Sequence, residues 1–370
     1  MTGADILSYF ADRADQIGAV HTTRTPRGQL LDWVSPEALT PDGNLATPPP
    51  AVATPLLAHE QAVTFELDDP AVARGPSGTV PVARRDPPQE TTAATTQAYL
   101  SKPGGGSYHP FTTASEPVNG FFHATIDSES PCYGVSGVVN VWSPKIQGGE
   151  DHSLMQLWLV DENHGQSVEA GWIVSHYQYG DLTAHLFTWY TTDGWTKQGP
   201  GVGGYDANQT GWVQCDDMIF PGALLVGASE AGSAQVVLPL QATLWDGNWW
   251  IAVRDRWIGY YPASLFARSS DGDTLTARAT RALFGGEVYT SAPIPATTTS
   301  QMGSGAFPDA GIGYACLQRN LSILTSTAGQ TEPFQGSPNQ EQTTMYRIAP
   351  APADPTRGSC YLVGGPGAAQ

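Results

Sequence analysis

The chain has 370 residues, of which 14% are charged and 10% aromatic, with 41 glycines and 30 prolines. Few charges with many turn-forming and aromatic residues predict β-structure with frequent turns, and they exclude a helical bundle, a coiled coil or a wholly disordered chain. The net charge of −18 repels phosphate, and no apolar run reaches the roughly 20 residues of a membrane span, so we expect neither nucleic acid nor membrane as a partner.

Residues 1–85 predict a small N-terminal domain of their own. Apolar residues recur at helical spacing from Ile6 to Ile17, which predicts a short amphipathic helix, and no signal peptide is visible there. HTTRTPRGQLLDWV (21–34) predicts a hairpin, and GTVPVARRD (78–86) predicts a short strand. Residues 86–110 are rich in Pro, Thr and Gly without apolar periodicity, so they predict a linker.

Residues 111–370 predict a domain of successive strands without alternating long helices. The apolar runs include GVSGVVNVWSP, SLMQLWLV, SVEAGWIV, LTAHLFTWYTT and AQVVLPLQATLW. Asp193-Gly194 and Asp246-Gly247 are dipeptides typical of hairpin turns. This pattern predicts an all-β fold with an antiparallel sandwich or barrel.

The four cysteines leave two interpretations open. Cys132, Cys215, Cys316 and Cys360 form no C-x-x-C pair, so a zinc ribbon or a thioredoxin-like site is not expected. Two disulfides would suit a secreted protein, and free buried thiols are the alternative. We expect no cofactor, because the chain has no P-loop, and no zinc-peptidase site or nucleophilic serine, because it has no H-E-x-x-H motif and no G-x-S-x-G elbow.

Two glutamates stand on predicted strands, each two residues from a glycine on the same face. Alternation places Glu169 with Gly171 in SVEAGWIV, and it places Glu287 with Gly285 in LFGGEVYT. A glycine leaves room for another backbone near the carboxylate, as a cleft for an extended peptide requires. The alternative is a pair of solvent-facing glutamates and a glycine bulge.

A close pair of carboxyls can divide acid and base roles between its members. One is protonated and the other ionised, so one can activate water while the other protonates a leaving group. This chemistry serves an acid peptidase and a glycosidase equally well. The histidines are scattered without a nucleophile motif, and we interpret them as surface or strand-packing residues.

Read in order, these segments resemble the neprosin family of glutamic peptidases. The matching pieces are VNVWSPKI (139–146), SLMQLWLV (153–160), VEAGWIVSHYQYGD (168–181), LFTWYTTDGW (186–195), GNWWIAV (247–253), IGYYPASLF (258–266), FGGEVYT (284–290), TTTSQMGSGAFPDAGIGYACLQRNL (297–321) and GGPG (364–367). The N-terminal part is similar to the activation peptide of the family. Trp33 stands where plant members usually carry a cysteine, so the disulfide pattern here must differ from theirs.

The resemblance implies a jelly-roll-like β-sandwich with endopeptidase activity at acid pH, cleavage after proline and no metal. The two catalytic glutamates of the family fall on Glu169 and Glu287. Gln156 is a candidate to hydrogen-bond the pair or the scissile carbonyl, or else it only packs in the sheet. We expect the remaining cleft residues to be Gly171, Trp172, Gly285 and Tyr289.

The resemblance also implies a class of substrates and an activation step. Substrates would be proline-containing peptides or proteins, and the N-terminal segment would inhibit its own chain until the linker is cut. An extracellular location would suit the acidic, Lys-poor composition. The competing hypotheses are a carbohydrate-binding or carbohydrate-cleaving sandwich, because jelly rolls serve both functions, and a non-catalytic scaffold.

Overall fold

The computed structural model describes residues 15–50, 56–84, 120–194, 201–207, 210–268, 274–291, 297–340 and 342–368. Most of the predicted N-terminal helix and the whole linker 86–110 lie outside these ranges. No helix in the described ranges is long and apolar enough to cross a membrane.

Strands are the main regular secondary structure of the described chain, which also has a helical turn, α1 (His176–Tyr179). The strands, numbered in chain order, are β1 (His21–Arg24), β2 (Leu30–Val34), β3 (Glu60–Ala62), β4 (Thr64–Phe65), β5 (Val80–Arg84), β6 (Phe121–Ser128), β7 (Gly134–Asn140), β8 (His152–Asp161), β9 (Gln166–Val174), β10 (Ala184–Thr191), β11 (Gly203–Tyr205), β12 (Val213–Gln214), β13 (Leu225–Val226), β14 (Gln235–Trp245), β15 (Asn248–Val253), β16 (Arg256–Pro262), β17 (Arg281–Tyr289), β18 (Cys316–Leu324), β19 (Thr331–Pro333), β20 (Ser337–Gln340), β21 (Arg347–Pro350) and β22 (Tyr361–Gly364). Short 3-10 turns occur at Pro36–Leu39, Glu66–Asp68, Ala263–Phe266 and Pro308–Ala310.

Two large sheets form the body of the molecule. The front sheet has seven strands in the order β11-β10-β9-β8-β17-β6-β20, and every neighbouring pair is antiparallel. The back sheet has the order β12-β16-β15-β14-β7-β18-β22-β21, with β19 beside β18 and β3 beside β14. This arrangement confirms the predicted all-β fold with antiparallel sheets.

The core lies between the two sheets, where alternation along each strand directs the apolar side chains. Val168, Ala170, Trp172 and Val174 of β9 all belong to this core and are buried. Trp172 donates from its indole nitrogen to the backbone oxygen of Asn140 on β7, over 2.9 Å. That hydrogen bond joins the two layers of the sandwich and satisfies a polar group that burial would otherwise leave unpaired.

The predicted Asp246-Gly247 turn joins β14 to β15. Trp245 pairs with Asn248 across a two-residue loop, and both loop residues have positive φ, 45° at Asp246 and 70° at Gly247. These angles are typical of a type I′ turn, whose twist matches that of the flanking strands. The second dipeptide, Asp193-Gly194, ends the described stretch after β10, and residues 195–200 lie outside the described ranges.

The N-terminal segment, described over residues 15–50 and 56–84, forms a small sheet of its own and also joins the sandwich. The predicted hairpin is present as β1 and β2, and β5 adds the third strand of the small sheet. In contrast, β3 pairs in parallel with β14 of the back sheet, and β4 pairs with β13. The N-terminal segment therefore contributes strands to the larger domain as well as forming its own unit.

All four cysteines are free thiols, which is the second of the two interpretations. Burial raises the pKa of the Cys132 thiol to about 12, and burial with the nearby Asp216 does the same for Cys215. Burial also raises the pKa of Cys316 and Cys360. Such thiols stay protonated and are poor nucleophiles at ordinary pH.

Candidate active site

The outer face of the front sheet carries both predicted glutamates. On β9, alternation points Glu169 away from the core, because its neighbours Val168 and Ala170 pack between the sheets. On β17, Glu287 follows the same rule, since Val288 lies in the core. Both glutamates are fully buried, at 0% exposure.

Gln156 lies midway between the two glutamates. On the intervening strand β8, Glu169 pairs with Trp158 and Glu287 pairs with Leu154. This register sets the glutamates two strands apart and four residues apart along the strand, roughly 10 Å across and 13 Å along for a flat sheet. Gln156 lies midway along the diagonal line that joins the two glutamates.

The two predicted glycines flank Gln156, one on each side. Gly171 and Gly285 are its direct cross-strand partners. A Cβ at Gly171 would lie 1.9 Å from the Met155 oxygen, and one at Gly285 would lie 2.3 Å from the Ala124 oxygen. The crowded backbone thus requires glycine at both positions, and Gln156 has no side chain beside it on either neighbouring strand.

Two histidines hold Glu287 from opposite sides. His123 lies across from Glu287 in the β6–β17 pair, and its Nε2 is 3.2 Å from Oε2. His152, the first residue of β8, places its Nε2 3.0 Å from Oε1. Both histidines are buried, at 2% and 1% exposure. Each carboxylate oxygen of Glu287 therefore has its own imidazole partner.

Aromatic rings fix the positions of these imidazoles. Phe121 stacks on His123 with 6.4 Å between ring centroids, and Trp158 lies 6.1 Å from His123 on another side. Tyr289, a predicted cleft residue, stacks on His152 at 5.6 Å. Burial, followed by the charges of Glu150 and Asp151, raises the pKa of Tyr289 to about 12.

The surroundings of Glu169 are more aromatic. Ser167 donates from its hydroxyl to Oε1 of Glu169 over 2.7 Å, and Trp158 and Trp189 are the two cross-strand neighbours of Glu169. Tyr205 of β11 packs edge-on against Trp189, with ring centroids 4.6 Å apart. Apolar walls of this kind favour the protonated form of a carboxyl.

The Tyr205 hydroxyl lies in the electrostatic field of both glutamates. Burial raises its pKa well above the ordinary range, and the charges of Glu287, Tyr179 and Glu169 raise it further. The phenol is therefore a permanent donor, and within the described chain its oxygen is buried without a hydrogen-bond partner. Oε1 of Gln156 is likewise buried without a partner there.

Six of the seven residues predicted for the site thus share one face, and one does not. Gln156, Gly171, Gly285 and Tyr289 lie on the outer face with the two glutamates. Trp172 lies on the opposite face, buried in the core, because it is an odd number of residues from Glu169. We correct the expectation for Trp172 accordingly and leave it out of the site.

Sequence reasoning missed His123, His152 and Tyr205 and interpreted the histidines as packing residues. A signal existed for His152, since alternation along His152, Leu154 and Gln156 places the three on one face. No local pattern links His123 to Glu287, because 164 residues separate them. Imidazole and carboxylate are also zinc ligands, but within the described ranges no group of three or more such residues is placed to hold a metal ion.

Two solved structures are similar to this chain at a low level. A "Crystal structure of scytalido-glutamic peptidase with a transition state analog inhibitor" has 11% identity and a TM-score of 0.33, covering 66% of this chain and 97% of that one. A "Crystal structure of Scytalido-glutamic peptidase with a peptide based transition state analog" has 10% identity and a TM-score of 0.31, with the same coverage.

A protein-family model also matches this chain. The Neprosin family model matches residues 149–366, a stretch that includes both glutamates and more than half of the chain. The chain therefore belongs to the Neprosin family, and this membership supports a peptidase of the glutamic type.

Proposed function

We propose that the protein is an acid-active endopeptidase that cleaves after proline, with Glu169 and Glu287 sharing the roles of general base and general acid. The observation that carries the proposal is the shared buried face, on which the two glutamates flank Gln156 diagonally across β8. The proposal expects the pair to share a single proton at its working pH, as coupled carboxyls do.

The reaction uses this single proton. The ionised glutamate takes a proton from water as the water oxygen attacks the scissile carbonyl carbon. The protonated glutamate then gives its proton to the amide nitrogen, and the C–N bond breaks to release a carboxylic acid and an amine. After one turnover the glutamate that was ionised holds the proton, and the other is ionised. Proton exchange with solvent restores the starting protonation states.

Gln156 and Tyr205 are the candidates to stabilise the tetrahedral intermediate. The Gln156 amide lies at the centre of the site, and the Tyr205 phenol is a donor near both carboxyls. A fixed donor aimed at a developing oxyanion is usually the largest catalytic contribution in acyl transfer.

Preference for proline is supported by the family resemblance and by the aromatic wall. Trp158, Trp189 and Tyr205 lie beside Glu169 on the same face. Rigid aromatic rings pack well against the flat pyrrolidine ring of proline, which loses little conformational entropy on binding. Substrates are then proline-containing peptides or proteins, in an acidic extracellular setting.

We also propose that residues 1–85 act as an intramolecular inhibitor and that the linker 86–110 is the processing region. One contact supports an inhibitory position near the site. Gln29 donates to the Gly222 oxygen over 2.9 Å, and His185 on the outer face of β10 contacts the same oxygen at 2.9 Å. The N-terminal segment therefore contacts a loop that adjoins the catalytic face.

The test is mass spectrometry of products from the full-length chain at about pH 4, near the ordinary pKa of glutamate. One arm receives a proline-containing peptide, and the other receives a polysaccharide, because paired carboxyls beside tryptophans also suit sugars. Peptide products ending in proline support the proposal. Sugar products alone, or an optimum near neutral pH, would contradict it.

Self-processing has its own test. The purified chain and its Glu287→Gln variant are acidified, and the new N-termini are sequenced. Cleavage within residues 86–110 of the wild type alone is the expected result. Equal cleavage of both chains, or none in this range, contradicts maturation by the chain itself.

A further inference from the structure

The histidine pair around Glu287 distinguishes the two carboxyls of the proposed dyad. An imidazole with its proton on Nε2 donates a hydrogen bond, and a carboxylate can only accept. When both imidazoles carry the proton on Nε2, an ionised Glu287 accepts from His123 and His152 at once, one on each oxygen. A protonated Glu287 would have to use one oxygen as a donor, so it would satisfy only one histidine in that tautomer.

The two contacts are short and enclosed. The imidazole nitrogens lie 3.2 and 3.0 Å from the two carboxylate oxygens, and hydrogen bonds donated to a carboxylate favour its ionised form. The site is buried, so solvent screens these interactions little. Two donated hydrogen bonds in this buried setting would favour the ionised form of Glu287.

Several other titratable groups of the described chain lie around Glu287. They include Tyr205 of β11, Tyr289 of β17 with the nearby Glu150 and Asp151, Glu169 of β9, Tyr179 of α1 with its partner Asp206, His185 of β10 with Asp181, and the Asp127–Arg281 ion pair farther along β6 and β17. The tyrosines are neutral donors across the acid range. The negative charge of Glu169 would oppose ionisation of Glu287, which is one more reason for Glu169 to carry the shared proton.

We propose that His123 and His152 are positioning residues that hold Glu287 ionised, so that Glu287 is the general base and Glu169 is the general acid. The inference rests on the proposed function. It adds an order to the reaction: Glu287 accepts the proton of the attacking water, and Glu169, between Trp158 and Trp189, gives its proton to the leaving nitrogen. Neither histidine exchanges a proton with substrate.

The test is the pH profile of kcat/KM for His123→Leu and His152→Leu in the acid-treated full-length protein. Removing a donor makes proton uptake by Glu287 easier, so the acid limb moves to higher pH by about one unit, the scale of one hydrogen bond to a charged group. The alkaline limb, which reports Glu169, keeps its position. An unmoved acid limb in both variants, or a shift of the alkaline limb instead, overturns the inference.

Glutamine variants separate this role from simple packing. His123→Gln and His152→Gln keep a neutral N–H donor, so their acid limbs move less than those of the leucine variants. Glutamine shifts as large as the leucine shifts overturn the hydrogen-bond assignment. A wild-type protein without peptidase activity would instead contradict the proposed function, so the two failures are distinguishable.

If the histidine variants fail to fold, an infrared measurement on the glutamate variants tests the same inference. Infrared difference spectra at about pH 4 report the C=O band of a buried protonated carboxyl, in the pH range where dyad members differ in charge. We expect Glu169→Gln to remove such a band and Glu287→Gln to retain it. Loss of the band in Glu287→Gln alone reverses the acid and base assignments and overturns the inference.

Discussion

Glu60 of β3 and Arg319 of β18 form a buried ion pair between the N-terminal segment and the back sheet. Nε of Arg319 donates to Oε1 of Glu60 over 2.7 Å, and a second guanidinium nitrogen contacts the other oxygen. The side chains are 1% and 0% exposed. A two-point guanidinium–carboxylate contact fixes the orientation of both groups, so it ties β3 to β18 of the back sheet.

Replacing Glu60 with glutamine should destabilise the protein strongly. The substitution leaves the buried Arg319 charge without its carboxylate, which typically costs about 3–5 kcal/mol of unfolding free energy. Urea unfolding at neutral pH measures the change. The matched control is Asp68→Asn, which breaks the half-buried pair with Arg254 and should cost at most about 1 kcal/mol. Equal losses in the two variants would contradict the buried role of Glu60.

Alanine at Gly171 should lower both stability and activity. Its Cβ would lie 1.9 Å from the Met155 oxygen and 2.8 Å from the Cα of Gln156, so β8 and β9 would have to separate at the centre of the site. We expect a lower Tm and a large loss of kcat/KM. Gly149→Ala is the control, because nothing lies within 4 Å of its Cβ. An unchanged Tm for Gly171→Ala would mean that the strands tolerate the methyl group.

Gln156→Ala should slow cleavage without unfolding the protein. If its amide stabilises the intermediate, kcat should fall by about 10²–10³, as for the loss of one oxyanion donor. The control is Gln241→Ala on β14 of the back sheet, whose amide donates to Thr243 and which should retain full activity. Wild-type kinetics for Gln156→Ala would leave Gln156 with a packing role only.

Thiol titration should find four thiols in the unfolded protein and almost none that react quickly in the folded one. Burial raises the pKa of Cys132 and Cys215 to about 12, so little thiolate exists near neutral pH. Reaction with a chromogenic disulfide, with and without denaturant, gives both counts. Fewer than four thiols after unfolding would establish a disulfide.

The alternation of apolar and polar residues correctly predicted which side chains face the core in strands that have one apolar side. The four apolar residues of β9 that face the core, and the glutamates that face away, follow directly from a period of two. The Asp246-Gly247 turn was also predictable, because positive φ at both positions favours those residue types. These features depend on local chemistry alone.

Features that depend on distant pairing were not predictable in this way. The parallel contact of β3 with β14 joins residues about 175 positions apart in the chain, and no pattern within Glu60–Ala62 indicates it. The same holds for His123 against Glu287, where the strand pairing brings together two segments whose local sequences are uninformative about each other. Tertiary packing decides both contacts, since each segment alone buries too little surface to specify a partner.

The most direct measurement of the central claim is cleavage of a proline-containing peptide at about pH 4 by the wild type, Glu169→Gln and Glu287→Gln, with far-UV and near-UV circular dichroism of each. Both glutamates are buried on the outer face and not in the core between the sheets, so the variants should retain the folded spectra. The account predicts that the wild type releases products ending in proline and that neither variant releases any. Normal turnover by either folded variant would contradict the two-glutamate mechanism.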